Sequence, residues 1–206
     1  MNRSGTTTSR RESALDAYQS AATTIGEIRR DMAIFALTRG QFSMIDAVLH
    51  CLESVGTAAV SIWTWTVADY EIDTFAALCS HGRVSAGRLI IDGRARKHCP
   101  DAVAAWQRAF GSKSVRYARN HAKIATVEGG GFRLLLRGSM NLNYNPRFEQ
   151  FDLTEGCAGF DLVREIEAEL AVADDVTDLT TIREQGGVGE LFPVMEGLRP
   201  WTPTRS

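Results

Sequence analysis

The stretch from His121 to Asn141 constrains this chain most, because it reads as two short strands closed by a glycine turn. His121-Ala122-Lys123 leads into a mostly β-branched run that ends at Val127. Glu128 and Gly129-Gly130-Gly131 follow, and the return run Phe132 to Leu136 continues to Gly138-Ser139-Met140-Asn141. Side chains alternate along a strand, so His121 and Lys123 are expected on one face, as are Ser139 and Asn141. A hairpin would then gather an imidazole, an ammonium, a hydroxyl and an amide into one polar patch. That set suits a phosphate ester: a nucleophile, a cation for the anionic oxygens, and neutral donors to complete the cradle.

The flanking sequence supplies the rest of a sheet and its covering helices. Strands are predicted over residues 32–37, 58–67, 88–92, 114–119 and 148–153, the second rich in Trp, Ile, Val and Thr. Helices are predicted over 43–55, with Gly56 as its stop, over 74–79, and from Pro100-Asp101 to Gly111. A last helix is read with Asp161 as its cap and Leu162, Ile166, Leu170 and Ala173 as its apolar stripe. Leu15, Tyr18, Ala22, Ile25 and Ile28 recur at helical spacing, which predicts an amphipathic N-terminal helix. Helices alternating with strands, then a hairpin, predict an α/β fold: a mixed β-sheet sandwiched by helices. The expected organisation is a disordered N-terminus over 1–11, the N-terminal helix over 12–30, one domain over 31–180 and a tail over 181–206.

Composition excludes several classes. With 44% hydrophobic and 23% charged residues the chain reads as soluble and globular. No apolar run approaches the ~20 residues that span a bilayer, and the Ser-, Thr- and Arg-rich start is not a secretory signal, so a cytoplasmic protein is expected. Cys51, Cys79, Cys99 and Cys157 form no Cys-x-x-Cys pair, and reduced, buried thiols are the expectation. Charge is uneven: residues 81–137 carry twelve Lys or Arg against three acids, and residues 149–190 twelve acids against two arginines. The polar patch therefore lies in a cationic segment, as a site for polyanions would. Arg83, Arg88, Arg94, Arg96, Lys97, Arg116 and Arg119 could line a groove for a phosphate backbone. Trp63 and Trp65 share a strand face, read as packing in the core or a dimer interface rather than as base stacking.

At His121, Lys123, Gly138, Ser139 and Asn141 the chain resembles the phospholipase D superfamily. That family's signature is His-x-Lys-x4-Asp, then a Gly-Ser or Gly-Gly step with an Asn two residues on. Glu128 stands at the Asp position, and Glu149 lies where the family often carries an acid that hydrogen-bonds the histidine. The resemblance implies a phospholipase D-like fold and metal-independent phosphodiester chemistry, with no cofactor. One histidine attacks phosphorus, and the histidine of a second motif acts as acid and then base. With a single motif copy the chain is similar to the short members, which dimerise, so both roles would fall to His121 of two protomers across a two-fold axis.

Lys123 and Asn141 would hold the non-bridging oxygens, assisted by Ser139. Glu149 would orient His121, and Glu128 would serve as a charged support at the strand end, not touching phosphorus. Gly138, Arg116 and Arg119 are the expected substrate-binding residues. Small soluble members of this kind imply a nuclease on DNA or RNA: a homodimer with nucleic acid, not membrane, as its partner. Two alternatives stay open: a degenerate nucleic-acid-binding dimer, suggested by Glu128, and a phosphatidyl or other phosphodiester transferase.

Overall fold

Two glycines set the geometry of the central hairpin. Gly130 and Gly131 have φ of 55° and 80°, the left-handed pair that a two-residue turn needs to match the twist of its strands. The computed structural model describes residues 11–17, 20–142 and 146–170. Around the hairpin, β6 (Ile124–Gly129) and β7 (Phe132–Gly138), six further strands assemble. They are β1 (Arg11–Ala17), β2 (Met32–Thr38), β3 (Ala58–Thr64), β4 (Val84–Asp92), β5 (Val115–Ala118) and β8 (Glu149–Glu155). The order is β1-β2-β8-β7-β6-β3-β4-β5. β3, β4 and β5 run parallel, and β6, β7 and β8 join them to β2 through antiparallel pairings. The fold is α/β with a mixed sheet, as predicted.

Alternation along β7 shows how the two faces are filled. Leu134 and Leu136 enter the main core, whereas Leu135 between them joins a second cluster with Cys157, Phe160 and Val163. The main core takes the apolar faces of α2 (Met44–Val55) and α5 (Pro100–Phe110). Ile45, Val48 and Leu52 of α2 are buried, and Ser43 opens that helix by donating its N–H to Asp46 Oδ2 at 2.7 Å. Phe75 of α3 (Asp69–Ser80) meets Trp106 of α5 edge-on, with ring centroids 5.3 Å apart. The opposite face is covered by α6 (Ala158–Glu169). Short helices α1 (Ala21–Ile25) and α4 (Ala95–His98) and a 3-10 turn over Ser112–Ser114 complete the described elements. The four cysteines are unpaired, and burial pushes the Cys51 thiol up to about 12.

Several expectations change here. The helix predicted over 12–30 is a strand followed by a turn and a half of helix. β1 lies parallel to β2, from Arg11 opposite Met32 to Ala17 opposite Thr38. Helical spacing lost to the backbone donors and acceptors that the edge of β2 offers, and Gly26 with φ of 69° ends α1. The helix predicted over 74–79 extends over all of α3, β4 begins at Val84 rather than residue 88, and β3 stops at Thr64. α6 starts three residues before Asp161, with Cys157 as its cap, and Asp161 pairs instead with Arg133. Leu162 and Ile166 of its predicted stripe face outward, 56% and 39% exposed, and Ala173 lies outside the described residues. The buried side is Phe160, Val163 and Glu167. The tail over 181–206 and residues 1–10 of the N-terminus lie outside the described residues.

Candidate active site

Strand directions put the candidate groups on one edge of the sheet. The carboxyl ends of β2, β3, β4, β5 and β7 (Thr38, Thr64, Asp92, Ala118 and Gly138) meet the amino ends of β6 and β8 there. Ligands of open α/β sheets bind outside the carboxyl ends of the strands, where connections diverge.

His121 and Lys123 sit in the link into β6, not on a strand as predicted, since β6 starts only at Ile124. A buried amide holds that link. Asn120 Nδ2 donates to the carbonyls of Thr64 at 2.9 Å and Ile90 at 3.3 Å, and its Oδ1 accepts from Ala122 N at 2.9 Å. Asn120 thus clamps the ends of β3 and β4 to the residue between His121 and Lys123. His121 is left exposed while Lys123 is buried. The ammonium turns back, donating to the His121 carbonyl at 2.7 Å, with Nδ1 and Nε2 of the ring at 3.1 and 3.2 Å. Burial lowers the Lys123 pKa below its ordinary value, although the charge of Glu149 works to raise it.

The end of β7 closes on this link. Gly138 N donates to the Lys123 carbonyl at 3.1 Å. A Cβ at Gly138 would lie 2.2 Å from the Gln150 carbonyl oxygen, so the approach of β8 demands glycine there. Ser139 N donates to that carbonyl at 3.0 Å, and Ser139 Oγ accepts from Gln150 N at 3.0 Å while donating to Glu149 Oε2. The hydroxyl of Thr64 donates to the Thr66 carbonyl at 2.6 Å, accepts from Leu142 N at 3.1 Å and stands 3.5 Å from Asn141 Oδ1. Asn141 is thereby docked beside the end of β3.

His121, Lys123, Gly138, Ser139, Asn141 and Glu149 are therefore gathered at one edge. The Glu149 carboxylate receives the Ser139 hydroxyl. Glu128 does not belong to the cluster. It is exposed near the turn end of β6, opposite Arg133, about 16 Å from Lys123 at ~3.3 Å per residue. Arg116 is also elsewhere, its guanidinium donating to the carbonyls of Leu170 at 3.0 Å, Val115 at 3.3 Å and Lys113. Arg119 is exposed just past β5, on the same edge as His121.

The other cationic residues divide in the same way. Arg83 donates to the Leu52 carbonyl and Arg88 to Glu167, which are structural bonds. Arg94 stays at the edge, where Asp92 Oδ1 accepts from its Nε at 2.7 Å and from its backbone N at 3.1 Å. Burial works to raise the Asp92 carboxyl. The hydrogen bonds and charge of Arg94, with a bond from the Asn120 backbone, outweigh it and hold the group below its ordinary value.

Sequence reasoning missed Asn120 as a clamp and Glu167 as a buried group. Asn120 adjoins His121, and that adjacency was the one available signal. Trp63 is packed, its Nε1 donating to Glu167 at 2.8 Å, as expected. Trp65 is 39% exposed within the protomer, its ring centroid 6.2 Å from that of His121. Among the described residues, no group of three or more His, Cys, Asp or Glu is placed to hold a metal ion, and no helix is long and apolar enough to cross a membrane.

No family model matches the chain, and no curated protein matches it. Among solved structures, the chain is similar to phosphatidylserine synthase from Haemophilus influenzae Rd KW20, with 14% identity and a TM-score of 0.46. The likeness covers 75% of this chain and 38% of that one, so the chain spans well under half the length of the structure it matches.

Proposed function

We propose that this protein is a metal-independent phosphodiesterase that cuts nucleic acid through a phosphohistidine on His121. The observation that carries the reading is the pairing of an exposed imidazole with a buried ammonium within 3.2 Å, backed by the Gly138-Ser139 turn. A nucleophile must be reachable, whereas a cation that stabilises developing charge is worth most where water is excluded.

In the first step a ring nitrogen of His121 bonds to phosphorus and the ester bond to one sugar oxygen breaks. The second His121, from a partner protomer, delivers a proton to that oxygen. The same partner imidazole then takes a proton from water, the new oxygen bonds to phosphorus, and the N–P bond breaks. Lys123 swings from the His121 carbonyl to a non-bridging oxygen, with the Asn141 side-chain amide donating beside it. Glu149 holds Ser139 in place. One chain carries one such histidine, so the active species is a homodimer.

The position of Glu128 bears on the degenerate alternative. The replacement of Asp by Glu falls about 16 Å from the reacting groups, at ~3.3 Å per residue of strand, and so removes no member of the cluster. The test is cleavage of DNA or RNA in excess EDTA, with solution mass measured in the same buffer. The expected result is EDTA-resistant cleavage by a dimer, abolished in His121→Ala. Cleavage that needs added metal, or that survives the substitution, contradicts the proposal. A shift in electrophoretic mobility with no product marks a binding dimer instead.

A further inference from the structure

Two arginine–aromatic pairs flank the cluster on the same edge of the sheet. On one side Trp65 follows β3, and the Arg94 guanidinium stands over its ring at 5.6 Å, anchored from behind by Asp92. On the other side Phe148 precedes β8, and the Arg39 guanidinium, just past β2, stands over its ring at 5.4 Å. Both rings are out in solvent, Trp65 at 39% and Phe148 at 69%. Exposed aromatic residues beside arginines suit a partner with flat faces and anionic groups.

The order of strands gives the spacing. β8, β7, β6 and β3 are neighbours, so the two rings are separated by three strand spacings, about 14 Å at ~4.8 Å each. His121, Lys123 and Ser139 lie between them, at the ends of β6 and β7. One phosphate ester with a small headgroup does not reach both flanks. A polymer with a phosphate at every repeat and a planar base between repeats does.

Resting on the nuclease reading, we infer that the substrate is single-stranded nucleic acid laid along this edge. The base on one side of the scissile phosphate stacks on Trp65 and a base on the other side on Phe148, while Arg94 and Arg39 meet the adjoining phosphates. A duplex keeps its base faces stacked inside the helix, so neither ring has a surface to take. Stacking on an aromatic ring tolerates any base, so the edge selects strandedness rather than sequence.

Binding tests this without turnover. In the full chain carrying His121→Ala, fluorescence anisotropy compares a labelled 12-nucleotide single strand with a hairpin duplex of the same length. The single strand is expected to bind at least about tenfold tighter, because the duplex forgoes both stacks. Adding Trp65→Ala or Phe148→Ala is expected to weaken single-strand binding by about fivefold to a hundredfold each, and Trp65→Phe to recover most of the loss. Arg94→Gln is expected to lower the slope of log affinity against log salt by about 0.7. Phe148 is mostly exposed, so its replacement does not threaten the core.

Equal affinity for the two forms, or indifference to both ring substitutions, overturns the inference. So does a fall in solution mass on Trp65→Ala, which would make that ring a contact between protomers. Ring-independent, EDTA-resistant cleavage would sink the subsites and leave the chemistry. Ring-dependent single-strand binding without any cleavage would sink the chemistry and leave the subsites.

Discussion

Around Glu167, four donors converge on a carboxylate that solvent does not reach: Ser61 Oγ, Trp63 Nε1 at 2.8 Å, Arg88 Nη1 at 2.9 Å and Arg164 Nη1 at 2.8 Å. Around His121, an equally polar set is left half open. The imidazole is exposed, and Lys123 spends its ammonium on the carbonyl and ring of the residue it should assist. Both clusters sit against the same sheet, yet they differ in what is satisfied. A buried charge whose acceptors are all filled rigidifies its surroundings and offers nothing to a ligand. A cluster with one reachable nucleophile and one cation in a makeshift contact can exchange that contact for a phosphate oxygen. On the proposed reading, the difference separates structural from reactive polarity without reference to residue type.

Exchanging the two losses would break or uphold the distinction. His121→Ala is expected to abolish cleavage, since it removes the nucleophile together with the acid and base, and to move stability by no more than about 0.5 kcal/mol, as an exposed position should. Glu167→Ala is expected to do the reverse. Removing one partner of a buried ion pair costs about 3–5 kcal/mol, towards the low end here because Arg88 and Arg164 are about one-third exposed. Its rate per folded molecule should stay near wild type. Chemical denaturation alongside a rate assay reads both, and a Glu167 variant that folds normally but does not cut would erase the distinction.

Gly138→Ala sharpens the picture of the open cluster. Its new methyl group meets a backbone carbonyl rather than a flexible side chain, so a loss of about 1–3 kcal/mol is expected. The same shift displaces Ser139, so denaturation and rate should both respond.

The pH dependence offers a smaller test. In the proposed mechanism Lys123 acts as an ammonium, and its pKa is lowered, so the rate should fall on the alkaline side before pH reaches the ordinary lysine value of 10.5. Stability from this group should move the opposite way. Between the depressed and ordinary values the unfolded chain binds more protons than the folded one, so the Lys123 contribution rises with pH there. Lys123→Arg should remove the alkaline fall from the pH–rate profile. The smallest effect is expected at Glu128→Ala, exposed near the hairpin turn: within about 0.5 kcal/mol in stability, and a rate close to wild type. A large loss of rate there would mean that the far end of β6 takes part.

What the sequence disclosed, and what it hid, follows from how far each signal reaches. The hairpin was legible because glycine and β-branched residues act locally, and β6 and β7 formed on either side of the predicted turn, although β6 starts only after Lys123. The grouping of His121 and Lys123 with Ser139 and Asn141 was legible for the same reason, being carried by that hairpin. The reading of residues 12–30 failed because helical spacing says nothing about a free strand edge nearby. α6 was read on the wrong face because its buried side includes Glu167, an acid that no apolar count assigns to a core. Its four donors come from β3, β4 and α6 itself, and only the fold brings them together. Glu128 was read as a support at the strand end, and the four residues between it and Lys123 put it at the other end of β6.

The account stands on a covalent bond between His121 and phosphorus, and rapid-quench mass spectrometry tests it directly. With a single-stranded oligonucleotide in excess EDTA, a quench before steady state should show one nucleotidyl fragment attached through His121, stable to base and labile to acid. The adduct should vanish in His121→Ala. Cleavage that proceeds with unmodified His121 at every time point, or with the fragment attached to another residue, would contradict it.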